Sequence, residues 1–163
     1  MLVPVRLIGT DGHGVELTVA GYQFPDHPDL RERRSWLVIE GTGHAGEGSW
    51  SFRWPALTPD DAVLVPEWLR LAAAGAMPVA EPHDLSGACD GCLHFAEPNL
   101  GFAVAGLGPG RVTLRLEFDL EFAPPWQVRS RAGNPYELTC ELPASALLTA
   151  ADEWDAEIAR FPP

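Results

Sequence analysis

"RVTLRLEFDLEF", residues 111–122, decides the fold class. Val112, Leu114, Leu116, Phe118, Leu120 and Phe122 alternate strictly with Arg111, Thr113, Arg115, Glu117, Asp119 and Glu121. Successive side chains of a strand point to opposite faces, so the pattern predicts one long strand with a buried face and a wet face. Antiparallel sheets can leave one face in water, whereas parallel sheets are covered on both and read as continuous apolar runs. "YELTCEL", 136–142, repeats the pattern, with Tyr136, Leu138, Cys140 and Leu142 inward and Glu137, Thr139 and Glu141 outward. The intervening "APPWQVRSRAGNP", 123–135, is too long for a tight hairpin but compatible with antiparallel pairing.

Upstream, "LVPVRLIG" (2–9) and "VELTVAGYQF" (15–24) flank "TDGHG" (10–14), whose Asp11-Gly12 and Gly14 favour a turn. "SWLVIEG" (35–41) and "SWSFRWP" (49–55) are two further strands joined by the glycine-rich "TGHAGEG" (42–48), with Trp50, Phe52 and Trp54 expected on one side. "TPDDAVLVPEWLRLAAAG" (58–75) reads as a helix. Thr58 can cap it, Pro59 suits its first position, Asp60 and Asp61 favour its positive end, and Gly75 stops it. Val65, Trp68, Leu69 and Ala72 form its core stripe, while Pro66 should kink it or split it. The closing "PASALLTAADEWDAEIARFPP" (143–163) is an amphipathic helix, with Leu147, Ala151, Trp154, Ile158 and Phe161 inward and Asp152, Glu153, Asp155 and Glu157 outward. The expected class is α+β: a mainly antiparallel sheet of about eight strands with two helices packed on it. A β-sandwich with helical additions is the alternative. The 163 residues form a single domain, 1–163.

Composition narrows the function classes. The net charge is −12 and all 11 basic residues are arginine. A surface this acidic repels phosphate backbones, so nucleic acid is not an expected partner; solubility is the plain reading of the charge, and steering towards a basic partner protein the sharper one. No apolar run is long enough to cross a bilayer, and the N-terminal "MLVPVRLIGTDGHG" lacks the basic and apolar regions of a signal peptide, which places the protein in the cytoplasm. Three cysteines, an odd number, fit a reducing compartment.

"GACDGCLHFAEP", 87–98, carries the most conspicuous candidate chemistry: Cys89 and Cys92 in C-x-x-C spacing, His94 beyond them and His83 before. Structural zinc takes four Cys or His ligands, usually as two close pairs, so these residues could form a zinc-stabilised domain or a metal-dependent enzyme. A redox pair would sit in a βαβ context, which is absent. Asp90-Gly91 is a favoured hairpin turn, and a plain turn with incidental cysteines is the preferred reading, with no metal and no cofactor. Cys92 and His94 would share one face of a strand over 92–95. His13, His27 and His44 lie in predicted loops without an obvious nucleophile partner, and no G-x-S-x-G elbow occurs, so no catalytic residue is assigned and the chain is not read as an enzyme. "GPGRV" (108–112) lacks the Lys-Ser/Thr of a phosphate-binding loop and reads as a turn. Trp50, Trp54 and Trp126 could line a small-ligand pocket, although core packing is the preferred reading. Glu117, Asp119, Glu121, Glu137 and Glu141 gather on the wet sheet face, where like charges repel; a basic partner would relieve them, which makes them the candidate partner-binding residues.

Several stretches in order carry a resemblance: "GYQFPD" (21–26), "SWLVIEG" (35–41), "GSWSFRWPALTPDD" (48–61), "EWLRLAAAG" (67–75), "FAEPNLGF" (95–102), "LEFDLEFAPPW" (116–126) and "ADEWDAEIARFP" (151–162). Together they resemble the WapI-like family of bacterial immunity proteins. The resemblance implies an intracellular antitoxin that binds and blocks the toxic C-terminal domain of a contact-dependent or cell-wall-associated toxin, often a nuclease; the acidic charge adds the expectation that this domain is basic. It carries over no catalytic residue. Pro66 and the "CDGC" pair stand outside it. In "FAEPNLGF", Pro98-Asn99 suits the centre of a turn between Phe95 and Phe102, with Glu97 and Asn99 free to bond local backbone.

Overall fold

The computed structural model describes residues 3–81, 89–127 and 134–163. Within them the chain runs β1 (Val5–Ile8), β2 (Gly14–Tyr22), α1 (Leu30–Arg33), β3 (Leu37–Ala45), β4 (Gly48–Leu57), α2 (Pro59–Ala73), β5 (Leu100–Gly108), β6 (Arg111–Phe118), a 3-10 turn (Leu120–Phe122), β7 (Tyr136–Pro143) and α3 (Ala144–Ile158). The fold is α+β, and its strands divide into two antiparallel meanders, β1-β2-β3-β4 and β5-β6-β7. No helix among the described residues is long and apolar enough to cross a membrane.

Alternation determines the register. β7 buries Leu138, Cys140 and Leu142 and pairs along its whole length with β6, Leu138 against Leu116 and Cys140 against Leu114. β5 and β6 meet at a two-residue turn, Pro109-Gly110, with Gly108 opposite Arg111 and Gly110 at φ +65°. Proline second and a left-handed glycine third is the demand of a type II turn. The "TGHAGEG" segment is mostly strand: β3 runs to Ala45 and β4 starts at Gly48, with Ala45 opposite Gly48.

One core serves both sheets and both long helices. Trp50 of β4 links the sheets: its indole N–H donates to the Phe122 carbonyl at 2.9 Å, and its ring meets Phe118, Trp126 and Tyr136 edge to face. Phe52 stacks on Phe122 at 4.1 Å.

Six expectations need correction. Among the described residues seven strands form, and 92–95, expected as a strand, contributes only a single bridge, Leu93 to Phe102. The strand at 111 stops at Phe118, where Asp119 turns its carboxylate onto the Leu120 N–H (2.8 Å) and Leu120 takes φ +50°. A short polar side chain bonded to adjacent backbone competes with the sheet ladder, and the left-handed residue then swings Phe122 into the core. A third helix, α1, forms as a single turn capped by Asp29. Trp54 is 42% exposed, on the edge strand of its sheet, where no further strand covers it. Glu157 is buried rather than outward: it accepts the Val19 N–H at 3.1 Å beside the bulge in β2, and Arg160 reaches it at 2.9 Å.

Pro66 supplies the last correction. Helix α2 is unbroken through it. Proline has no N–H, so the carbonyl four residues earlier, Ala62, loses its intrahelical donor. The Trp154 indole of α3 donates to that carbonyl at 2.8 Å. The helix therefore keeps its proline by taking a hydrogen bond from its neighbour. At the other end, Thr58 caps α2 as the sequence predicts, and Asp61 returns a bond to the Thr58 N–H, which the sequence reading did not include.

Candidate functional site

Of the five carboxylates, Glu117, Glu137 and Glu141 lie on β6 and β7, whereas Asp119 and Glu121 fall after β6 ends, Asp119 buried and Glu121 in the 3-10 turn. Glu117 and Glu137 are direct cross-strand partners, an arrangement that costs stability unless it is compensated. His94 compensates it, with its Nε2 2.6 Å from the Glu117 carboxylate. Arg115, itself buried, lies 3.6 Å from Glu117, an ionic contact too long to be a hydrogen bond. Glycine at 101 admits this cluster: a Cβ there would stand 2.7 Å from the Glu117 carboxylate and 2.8 Å from the His94 ring.

The Glu117 hydrogen bond raises the His94 pKa above the ordinary 6.5, against the opposing pull of burial and Arg115. The same bond lowers Glu117 below 4.5, against burial. Stability from a raised histidine is full below its unfolded value and is lost as pH rises through the folded one. Stability from a lowered carboxylate is present above its unfolded value and is lost as pH falls through the folded one. The pair therefore contributes most between about pH 4.5 and 6.5. His94 is half exposed, so solvent screening holds the gain under about 1 kcal/mol. Thermal midpoints at pH 5.5 and 8 check it: the wild type loses stability over that range relative to His94→Gln, and parallel profiles would refute the pairing.

The other carboxylates also have partners within the chain. Asp119 is 5% exposed and caps the 3-10 turn. Glu121 accepts from the Asn99 side chain at 2.8 Å, and Glu141 is paired with Arg111. Asn99, at the Pro98-Asn99 turn, is fully buried, and its carbonyl also receives the Asp119 N–H. Its side chain thus ties the turn to the segment after β6 rather than to local backbone.

Among the described residues, Cys89, Cys92 and His94 are not gathered as a metal-holding group. Asp90-Gly91 does form the turn, with Gly91 at φ +79° and the Cys92 N–H on the Cys89 carbonyl. The Cys89 and Cys92 sulfurs are paired across this turn. His94 goes to Glu117, and His83 lies outside the described residues. No group of three or more His, Cys, Asp or Glu among the described residues is arranged to hold a metal. The third cysteine, Cys140, is buried and its pKa is pushed up to about 12 by desolvation, which makes it a core residue and a poor nucleophile. Nor do the three tryptophans form a pocket. Trp50 and Trp126 pack on each other at 5.3 Å and both on Tyr136, leaving no room between them, while Trp54 stands apart.

One arrangement was hidden from sequence reading. His44 lies between the Ser49 hydroxyl (2.9 Å) and the Glu16 carboxylate (3.2 Å). Glu16 also holds Arg6 at 2.5 Å, so the contacts run Ser49–His44–Glu16–Arg6 across β4, β3, β2 and β1 in turn. A serine, a histidine and a carboxylate in line invite comparison with a hydrolase. Such an enzyme also needs donors aimed at a developing oxyanion. Here the three residues form a polar ladder across the face of a hydrogen-bonded sheet. Only strand pairing brings positions 16, 44 and 49 together, and no sequence spacing announces it.

The family model of the WapI-like immunity proteins matches residues 6–162, nearly the whole chain. The chain belongs to the WapI-like family of immunity proteins. The match spans both sheets and α1, α2 and α3, so membership of the WapI-like family applies to the whole fold rather than to one motif. No curated protein matches the chain. As a WapI-like immunity protein, its general role is toxin neutralisation, with a toxin as partner.

Proposed function

We propose that this WapI-like protein is a non-catalytic cytoplasmic inhibitor that neutralises a basic C-terminal toxin domain, such as a nuclease, by covering it. Family membership over residues 6–162 carries the reading, and the net charge of −12 supplies its physics. A nuclease must present a basic surface to hold phosphate, and an acidic protein can compete for that surface. Charge of one sign also steers the encounter and speeds association. Of the candidate residues, Glu117, Glu121, Glu137 and Glu141 would contribute to this acidic surface, while Asp119 is buried and adds only its charge. Because Glu117, Asp119, Glu121 and Glu141 already have partners in the chain, their part is the long-range field more than new contacts.

The test partner is the C-terminal domain of a large secreted protein, sought in the reading frames that neighbour this gene. Calorimetry should give a Kd of about 10 nM or tighter at low salt, weakening as salt is added. Co-expression should protect growth. No heat of binding at low salt would sink the proposal.

A further inference from the structure

Helix α2 is apolar on two sides. Its inner side, Ala62, Val65, Trp68, Leu69 and Ala72, is buried in the core. Its outer side carries Asp60, Val63, Leu64, Glu67 and Leu71, spaced i, i+3, i+4, i+7, i+11 along one face. Val63, Leu64 and Leu71 are 48%, 44% and 39% exposed. Folding does not require aliphatic side chains there, since a surface helix normally turns polar residues to water. Helix α3 extends the face: Leu148 is 45% exposed, and Asp152 and Asp155, one and two turns on, both bond Arg70 of α2. Beyond the end of α2 lies a cleft of about 190 Å³ whose lining includes Ala73, Gly75, Leu107, Arg111, Val112 and Ala144. Leu107 stands exposed at its edge.

Charge selects the occupant. Asp60, Glu67, Asp152 and Asp155 stand around these leucines with Arg70, and Arg111, paired with Glu141, lines the cleft. A second copy of the chain would bring acid against acid, and nucleic acid or an anionic membrane would be repelled. An apolar patch ringed by carboxylates fits a protein surface with an aliphatic or aromatic centre and a rim of arginine or lysine. We propose that the outer face of α2 and α3 is the surface that contacts the toxin domain, with an apolar side chain of the toxin entering the cleft beside Leu107. This rests on the inhibitor reading above and places its contact on the helices rather than on the outer face of β6 and β7.

The probe is the same toxin C-terminal domain, titrated into the full chain. Leu71→Arg and Leu148→Arg should each raise Kd about 100-fold, as loss of a central contact does, while Ser51→Ala, at an exposed position of β4, leaves it within about threefold. Thermal melting checks that the variants fold, and Leu71→Ser and Leu148→Ser replace any that do not. On complex formation, amide exchange should slow in residues 59–73 and 144–158. If the wild type binds and the leucine variants bind equally well, or protection is confined to 111–143, the helix face is wrong and the inhibitor reading stands. If the wild type does not bind, both fall together.

Discussion

Trp154→Phe should lower the unfolding free energy by about 2–4 kcal/mol, through a lost hydrogen bond and a cavity together. Trp154 is fully buried, and its indole N–H satisfies the Ala62 carbonyl that Pro66 leaves without a helical donor. Phenylalanine removes the donor and part of the ring, so a buried carbonyl is left unpaired beside a void. For a chain of this size the thermal midpoint should fall by about 5–15 °C. Pro66→Ala provides the control. Alanine at 66 restores an N–H to the helix, so Trp154→Phe should cost about 1 kcal/mol less in that background. Equal costs in the two backgrounds would show that the proline and the indole are not coupled. The pair also explains why a helix with an internal proline remains whole: the conflict that the sequence displays within one element is resolved by another element 92 residues away along the chain.

The same distinction separates what was legible from what was not. Period-two alternation in 136–142 predicted the burial of β7 residue by residue, because only the two faces of one strand were involved. The Thr58 cap, Pro59 and Gly75 were legible for the same reason: capping is local chemistry. Alternation failed after Phe118, where Asp119 bonded adjacent backbone and an unbroken pattern continued through a 3-10 turn. Glu157 looked solvent-facing because its partner, the Val19 N–H beside a β-bulge, is 138 residues distant. The candidate site divides likewise. The acidic residues were visible as composition, but their partners His94, Asn99 and Arg111 come from other strands and turns. The outer apolar stripe of α2 was present in the sequence as well. It became informative only when the opposite stripe proved to be the one that meets the core.

Gly43→Ala should cost about 3 kcal/mol or more, although alanine in a strand is ordinarily the better residue by about 0.5–1 kcal/mol. The reversal comes from close approach. Gly43 is the cross-strand partner of Trp50, and a Cβ built on it would overlap the tryptophan ring; Gly41 stands in the same relation to Phe52. The two glycines are a shelf on which the aromatics of β4 lie. Trp50 has little freedom to yield. Its N–H is held by the Phe122 carbonyl, and Phe118, Trp126 and Tyr136 meet its ring at 5.2–5.6 Å. A shifted indole would break the joint between the two sheets, so the loss exceeds that of a simple overpacked site. Urea denaturation gives the cost, and a weakened near-ultraviolet signal places it at the aromatic cluster. Gly108→Ala is the comparison: nothing lies within 4 Å of a Cβ there, and the change should be within about 0.5 kcal/mol of neutral. Trp50→Leu should absorb most of the Gly43→Ala penalty, because the smaller side chain leaves the shelf clear. A Gly43→Ala protein as stable as the wild type would mean that the indole can move without loss, and the joint would then have to be sought in Phe52 and Phe122 instead.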